Sequence, residues 1–392
     1  MTLYLGRQRA VVLVGYDAVK EALVDQGEDF TGRAPLPFLH KATRGYGLGI
    51  SNGERWRKLR RFTLSTLRDF GMGRKTMEAW IQEESKHMIA RMDSFNGKAF
   101  DPTFILSQTV SNVICCLVFG ERFVYEDQQF LKLLQTFNEF IKFNSTPYGQ
   151  LYNIFPSLMD RLPGRHHTFF AKVDNEKDDS MSEFHFENLW STVLNLFAAG
   201  TETTSSTIRY ALSVFIKYPD LQTRMQEEID VVIGRDRNPG MEDRKSLPFT
   251  DAVIHEVQRF LDLVPFSIPH YAVKDITFRG YKIPKGTFIF PILHSVLKEE
   301  KMWDTPFTFN PKHFLDDNSS FKKNPAFMPF SAGKRACVGE SLARMELFIF
   351  IVTLLQNFTF SCIDGPDSIN LMPETSGFGN VPRRYEIIAT RR

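Results

Sequence analysis

Residues 1–14, MTLYLGRQRAVVLV, alternate apolar and polar positions, the period-2 pattern of a two-stranded hairpin. Most of the remaining chain carries helical spacing. DAVKEALVDQG predicts a helix that stops at Gly27. Residues 31–53, TGRAPLPFLHKATRGYGLGISNG, are punctuated by Gly and Pro and read as loop. GYGLGISNG within them resembles a phosphate cradle, but it lacks a third glycine at the right spacing and a strand leading in. Residues 54–92, 104–119 and 126–144 return to helix. DNEKDDS (174–180) matches a calcium loop only in composition and reads as a solvated linker. One long helical pattern runs from Phe186 to about Tyr218 and stops at Pro219. DLQTRMQEEIDVVIG and FTDAVIHEVQRFLDL predict two more amphipathic helices. Residues 271–293 alternate as short strands with a Lys-Gly turn in YKIPKGTFIFP, and a last helix spans about Val338 to Asn357. With no repeats and no clean linker, the expectation is a single, mainly α domain over 1–392 with a minor β part.

Composition narrows the function classes. A chain of 392 residues, 43% hydrophobic, can bury a large core. Thirty-seven Phe point to a core, and a pocket, built for aromatic and aliphatic contact. A net charge of +2 gives no electrostatic footprint for nucleic acid. No stretch reaches the ~20 apolar residues of a membrane span. The four cysteines form no Cys-x-x-Cys pair and follow no secretory signal, so neither a disulfide framework nor a structural zinc is expected. Cys115 and Cys116, in SNVICCLVFG, read as buried thiols.

FSAGKRACVGE (330–340) is different. A nucleophilic Cys337 would want a histidine base, and none of the nine histidines carries a local signature pointing at it. A buried structural thiol would not need the flanking glycines. An axial metal ligand fits better. A thiolate held against a planar cofactor needs small neighbours, here Ala332, Gly333, Ala336 and Gly339. The helix after it presents backbone N–H groups to the sulfur, and Arg335 can pair with a carboxylate on the cofactor edge.

Phe330-x-x-Gly333-x-Arg335-x-Cys337-x-Gly339 resembles the haem-binding signature of the cytochromes P-450. Four further stretches agree in order and distance. NLFAAGTETTS (195–205) resembles the oxygen-binding helix, HEVQRF gives Glu256-x-x-Arg259, FNPKHF (309–314) resembles the element that locks that pair, and ERWRKLRRF gives Trp56 and Arg60. Much of the chain, from start to end, resembles the microsomal family-2 group. The resemblance implies the cytochrome P-450 fold, a triangular prism of helices enclosing haem b (iron protoporphyrin IX). It makes Cys337 the metal ligand and Thr203 and Glu202 the groups that serve oxygen activation and proton delivery. Gly200 would let their helix bend, and Ala199, Phe330 and Gly339 would contact the cofactor. Trp56, Arg60, Arg33, His270 and Arg335 are the candidates for its propionates. Glu256 and Arg259 would be buried and structural rather than an exposed helical pair, with His313 where the family usually has Arg, making the network's charge depend on pH.

The implied reaction inserts one atom of O2 into a lipophilic small molecule of the drug, steroid or fatty-acid class. Its partners would be an NADPH-dependent flavoprotein reductase, with cytochrome b5 as a further donor, and the cytosolic surface of the endoplasmic reticulum membrane. Arg55, Arg57, Lys58 and Arg61 read either as a solvated face or as the surface met by an acidic donor. Pro35–Leu39, Phe140–Tyr148, Ala199, Val264–Ile268 and Phe378 would line the pocket. Relative to the family, the anchor, its linker and the first helix are expected to be missing. So is a segment between HHTFFAKV (166–173) and DNEKDDSMSEF, which would leave the substrate side open to water. Two rivals remain: a haem-thiolate hydroperoxide isomerase, which the Glu202-Thr203 pair argues against, and a catalytically impaired haem-binding isoform.

Overall fold

The computed structural model describes residues 1–71, 75–164, 186–377 and 379–392. The opening hairpin forms as β1 (Thr2–Leu5) and β2 (Gln8–Leu13). α1 (Tyr16–Lys20) does not run as α-helix to Gly27; it widens into a π turn over Glu21–Asp25. The stretch expected as loop holds two elements, β3 (Gly32–Arg33) and α2 (Pro37–Thr43), the latter started by a proline at its first position. Then come α3 (Gly53–Asp69), α4 (Lys75–Asp93), α5 (Thr103–Phe119), α6 (Gln128–Ser145), α7 (Pro147–Ile154) and α8 (Pro156–Met159). The acidic stretch 174–180 and the junction at residue 173 lie outside the described residues, as do Phe378 and the side chain of Phe140.

The long helix α9 (Phe186–Lys217) ends just before the Tyr218-Pro219 step, and Pro219 opens α10 (Pro219–Val232); α11 (Pro248–Leu261) also starts on proline. The short strands are β4 (His270–Tyr271), β5 (Ile276–Phe278), β6 (Tyr281–Ile283) and β7 (Phe288–Pro291). β5 and β6 pair with each other around Arg279 and Gly280. The Lys285-Gly286 turn therefore makes no hairpin. It passes the chain to β7, which joins a five-stranded sheet in the order β1-β2-β7-β4-β3. α12 (Leu293–Leu297) comes next, then α13 (Glu340–Asn357), β8 (Phe358–Ser361), β9 (Thr375–Ser376), β10 (Asn380–Val381) and β11 (Ile388–Arg391).

Two packed layers place the site. The main core gathers the apolar faces of α4, α5, α9, α11 and α13; a second core lies under the sheet, with Trp303 and Phe314 buried in it. α13 is apolar nearly all round because it runs through the main core. α9 lies along α5 on a polar seam, with Ser111 Oγ 2.9 Å from Thr201 Oγ1. A Cβ on Gly200 would lie 2.7 Å from Ile114 Cδ1, so this glycine sits where α9 approaches α5 closely. Cys115 is fully buried and its thiol is pushed up to about 12 by burial, while Cys116 is half-buried.

Candidate haem site around Cys337

The loop 330–339 is fixed by its backbone. Cys337 N–H donates to Phe330 O at 3.0 Å, and Ala336 N–H to Gly333 O at 3.1 Å. Gly333 has φ +69° and packs against α1's π turn, where a Cβ would stand 1.7 Å from Leu23 O. Its small size is thus required by the chain beneath it. Gly339 does lie over the sulfur: a Cβ there would sit 3.9 Å from Cys337 Sγ. Gly339 also caps α13, and its N–H points to the sulfur. Cys337 is open to solvent on one side. The protein packed on its other sides desolvates the thiol and raises its pKa; the Gly339 N–H opposes the shift, Glu340 adds to it and Arg60 opposes it. A cavity of about 350 Å³ opens beside it between α3 and α13, lined also by Leu64, Arg68 and Arg344.

The loop is ringed by cations. Arg33 on β3 and Arg335 are both buried, and Arg60 on α3 is half-buried. Arg60 Nη2 donates to Ala336 O at 2.7 Å. Arg335 donates to Thr31 O and Ser51 O at 2.8 Å each, and its guanidinium lies 3.7 Å from the ring centre of Trp56. Arg33 Nη1 reaches Ile268 O at 2.6 Å and His270 Nε2 at 2.7 Å, while His270 Nδ1 lies 2.6 Å from Phe30 O. Arg33 Nε and Arg335 Nη1 are buried with no hydrogen-bond partner. Among the described ion pairs no carboxylate faces Arg33, Arg60 or Arg335. Burial, and then the neighbouring arginine charges, push Arg33 down to about 9 and Arg335 down to about 8. A guanidinium keeps its proton in proteins, so these shifts measure the cost of burying like charges together. Two carboxylates would offset it. The donor set therefore fits a planar dianion such as haem, edged against the cysteine loop.

Sequence reasoning missed Asn52 here. It stands before α3, where a cap is expected, yet makes no cap bond. Its Oδ1 instead accepts from Arg33 N at 2.7 Å and Arg335 Nη2 at 3.2 Å, tying the two arginines together. The cap position itself was the available signal. His270 differs from expectation in a related way. A guanidinium only donates, so Nε2 accepts and Nδ1–H is given to Phe30 O; both ring nitrogens are used by protein.

The α9 residues form a second group, whose described contacts run to α5, α6 and α13 rather than to the arginines. Thr203 Oγ1 donates to Ala199 O at 2.6 Å, so the two share a face as their spacing implied. Glu202 accepts from Ser206 Oγ at 3.2 Å and from Asn138 Nδ2 on α6 at 3.3 Å. Phe330 lies under Arg344, 5.1 Å from ring centre to guanidinium.

Glu256 and Arg259 are fully buried and bidentate, both contacts at 2.7 Å, so they are not an exposed helical pair. Arg259 Nη1 also reaches Leu297 O and Pro306 O at 2.8 Å, and Asn310 N–H caps Glu256 Oε1 at 2.8 Å. His313 Nδ1 lies 3.2 Å from Glu256 Oε2 while Nε2 accepts from Thr305 N–H at 3.2 Å. That assigns the proton to Nδ1, and the neutral ring satisfies both contacts; the geometry needs no pH-dependent charge. On the basic face of α3, Arg57 pairs with Glu54 and Glu28 and Arg55 lies over Tyr46, whereas Lys58 and Arg61 are exposed.

Comparison with known proteins identifies the family. The sequence model of the family described as Cytochrome P450 matches residues 1–176 and 167–389. Cytochrome P450 2F2 of Mus musculus is 47% identical over 420 residues, covering 98% of this chain and 86% of the relative. Cytochrome P450 2G1 of Oryctolagus cuniculus is 46% identical over 425 residues, with 100% and 86% covered, and cytochrome P450 2C16 of the same species is 47% identical over 417 residues, with 98% and 86%. Alignments longer than the 392 residues present here mean that these relatives carry stretches without a counterpart in this chain. A family match over nearly the whole chain and identity of this extent settle the point: the chain belongs to the cytochrome P450 family, in its microsomal family-2 group.

Proposed function

We propose that Cys337 is the thiolate ligand of haem iron, that Arg33, Arg60, Arg335 and Trp56 hold the propionates, and that His270 orients Arg33. As a family member the protein is a haem-thiolate monooxygenase for xenobiotic or other lipophilic substrates, with O2 and a redox partner. The observation that carries the residue assignment is the set of buried arginines, two with orphaned N–H groups, around the cysteine loop. Bound haem supplies O2 activation and insertion of one oxygen atom into a substrate C–H bond. The chain supplies the rest. The Gly339 N–H and the Arg60 charge favour the thiolate form of Cys337. Thr203 and Glu202 are assigned to proton delivery: the Thr203 hydroxyl is parked on Ala199 O, beside a Glu202 carboxylate held by Ser206 and Asn138.

Electrons would come from an NADPH-dependent flavoprotein, with cytochrome b5 as a second donor, meeting the exposed Lys58 and Arg61. The assigned setting is the cytosolic face of the endoplasmic reticulum membrane. Among the described residues no helix is long and apolar enough to cross a membrane. Tyr4, Leu151, Phe155, Leu158 and Leu162 are exposed apolar groups suited to a membrane surface, and the β1–β2 turn touches Ile154 and Phe155 at Gly6. Reconstitution with reductase, NADPH and a neutral alkylbenzene tests the reading. Oxygenated product is expected. Turnover of a hydroperoxide with none from NADPH would favour an isomerase, and haem uptake with neither would mark an impaired enzyme.

A further inference from the structure

The segment from Asp262 to Ile268 leaves α11 in an unusual backbone. Asp262 has φ +50° and Ser267 φ +54°, both left-handed and neither glycine. Such residues persist only where the surroundings hold them. Here the holders are identifiable. Asp262 is buried, and its Oδ2 accepts from His294 Nδ1 on α12 at 2.6 Å. The His294 backbone N–H donates to Pro265 O at 2.9 Å, so one residue grips the segment twice. On the other side Asn380 Nδ2 donates to Asp262 O at 2.8 Å, and Asn380 N–H to Leu263 O at 2.8 Å. The far end is held by Arg33 through Ile268 O at 2.6 Å.

We propose that His294, acting through Asp262, is a positioning residue that sets the shape of the substrate-side wall Leu263–Ile268. The proposal rests on the reading that this segment lines the pocket. Its physical basis is asymmetry. Asn380 and Arg33 hold backbone carbonyls, those of Asp262 and Ile268, while among the described hydrogen bonds His294 is the residue that meets the Asp262 side chain. His294 is half exposed, so the contact can be altered from the surface without opening the core. Lys298 and Arg259 are the other charges facing Asp262, and Lys298 Nζ is committed to Phe260 O at 3.2 Å. Side chains on a wall held this way select among carbon atoms of a bound substrate rather than among reactions.

The test compares His294→Leu, which removes the donor, with His294→Asn, whose amide N–H replaces Nδ1–H. Hydrogen–deuterium exchange of the haem-free chain reads the clamp directly. Ethylbenzene, with benzylic, methyl and ring carbons, reads the wall in the loaded enzyme. In His294→Leu, the amides of Leu263, Val264, Phe266, Ser267 and Ile268 should exchange faster, and the benzylic-to-ring product ratio should change on the order of 3–10-fold, with KM raised and kcat little altered. His294→Asn should restore both. Unchanged exchange in His294→Leu overturns the clamp. Faster exchange with an unchanged product ratio and KM overturns the proposal differently, by showing that a real clamp does not shape the pocket. If the parent chain fails to form the thiolate complex, the underlying family chemistry fails, but the exchange result still stands.

Discussion

Arg33 Nη1 donates to His270 Nε2 at 2.7 Å, and this contact fixes the protonation of the imidazole. Because Nε2 must accept, the ring is neutral and carries its proton on Nδ1, toward Phe30 O. Burial first, and then the Arg33 charge, hold His270 well below its ordinary 6.5. The unfolded chain therefore binds a proton below about pH 6.5 that the folded chain refuses, so native stability falls as pH drops through that value. Denaturant unfolding of the haem-free chain at pH 7 and pH 5.5 should show this loss, with a slope approaching about 1.4 kcal/mol per pH unit. His270→Gln should flatten that part of the profile. An equal slope in the variant would assign the acid sensitivity elsewhere.

Arg335 should matter more to the loaded protein than to the empty one. Its charge is buried beside Arg33 and Arg60 without a facing carboxylate. Arg335→Leu removes that repulsion, so the haem-free chain should lose less stability than the lost contacts would suggest. Loaded haem should be held more weakly, by on the order of 10–100-fold, the worth of one or two charge-assisted hydrogen bonds. Haem titration and melting of the empty chain, done on the same variant, separate the two effects. Equal losses in both states would deny Arg335 a role in holding the cofactor.

Glu256→Gln leaves Arg259 as an uncompensated charge at zero exposure. The cost should be about 3–5 kcal/mol, enough to prevent accumulation of folded protein in a chain of ordinary stability. His313→Asn keeps a donor to Glu256 and should cost less than about 1.5 kcal/mol. Urea midpoints at pH 6 and pH 8 check both points. A His313-dependent change between the two would restore the pH-sensitive network that its neutral geometry argues against.

The legible parts of this protein were those in which local chemistry has one solution. Long helices announced themselves by spacing. Gly333 also meets a demand that no local pattern can show: a Cβ there would strike Leu23 O, near the other end of the chain. Gly200 meets a similar long-range demand from Ile114. Two-residue strands such as β3 have no periodicity to detect, since their pairing with β4 supplies the order. Asn52 illustrates a capping residue diverted by tertiary partners. Turn chemistry was read at Lys285-Gly286, but which strands a turn connects depends on the sheet, not on the turn.

The most direct measurement is the absorption spectrum of the reduced carbon-monoxide complex of the haem-loaded parent chain and of Cys337→Ala. The parent should show the strongly red-shifted Soret band of trans-thiolate ligation, and Cys337→Ala should lose it. A parent spectrum typical of an imidazole-ligated haem, or an unchanged spectrum in Cys337→Ala, would contradict the placement of this sulfur on the iron.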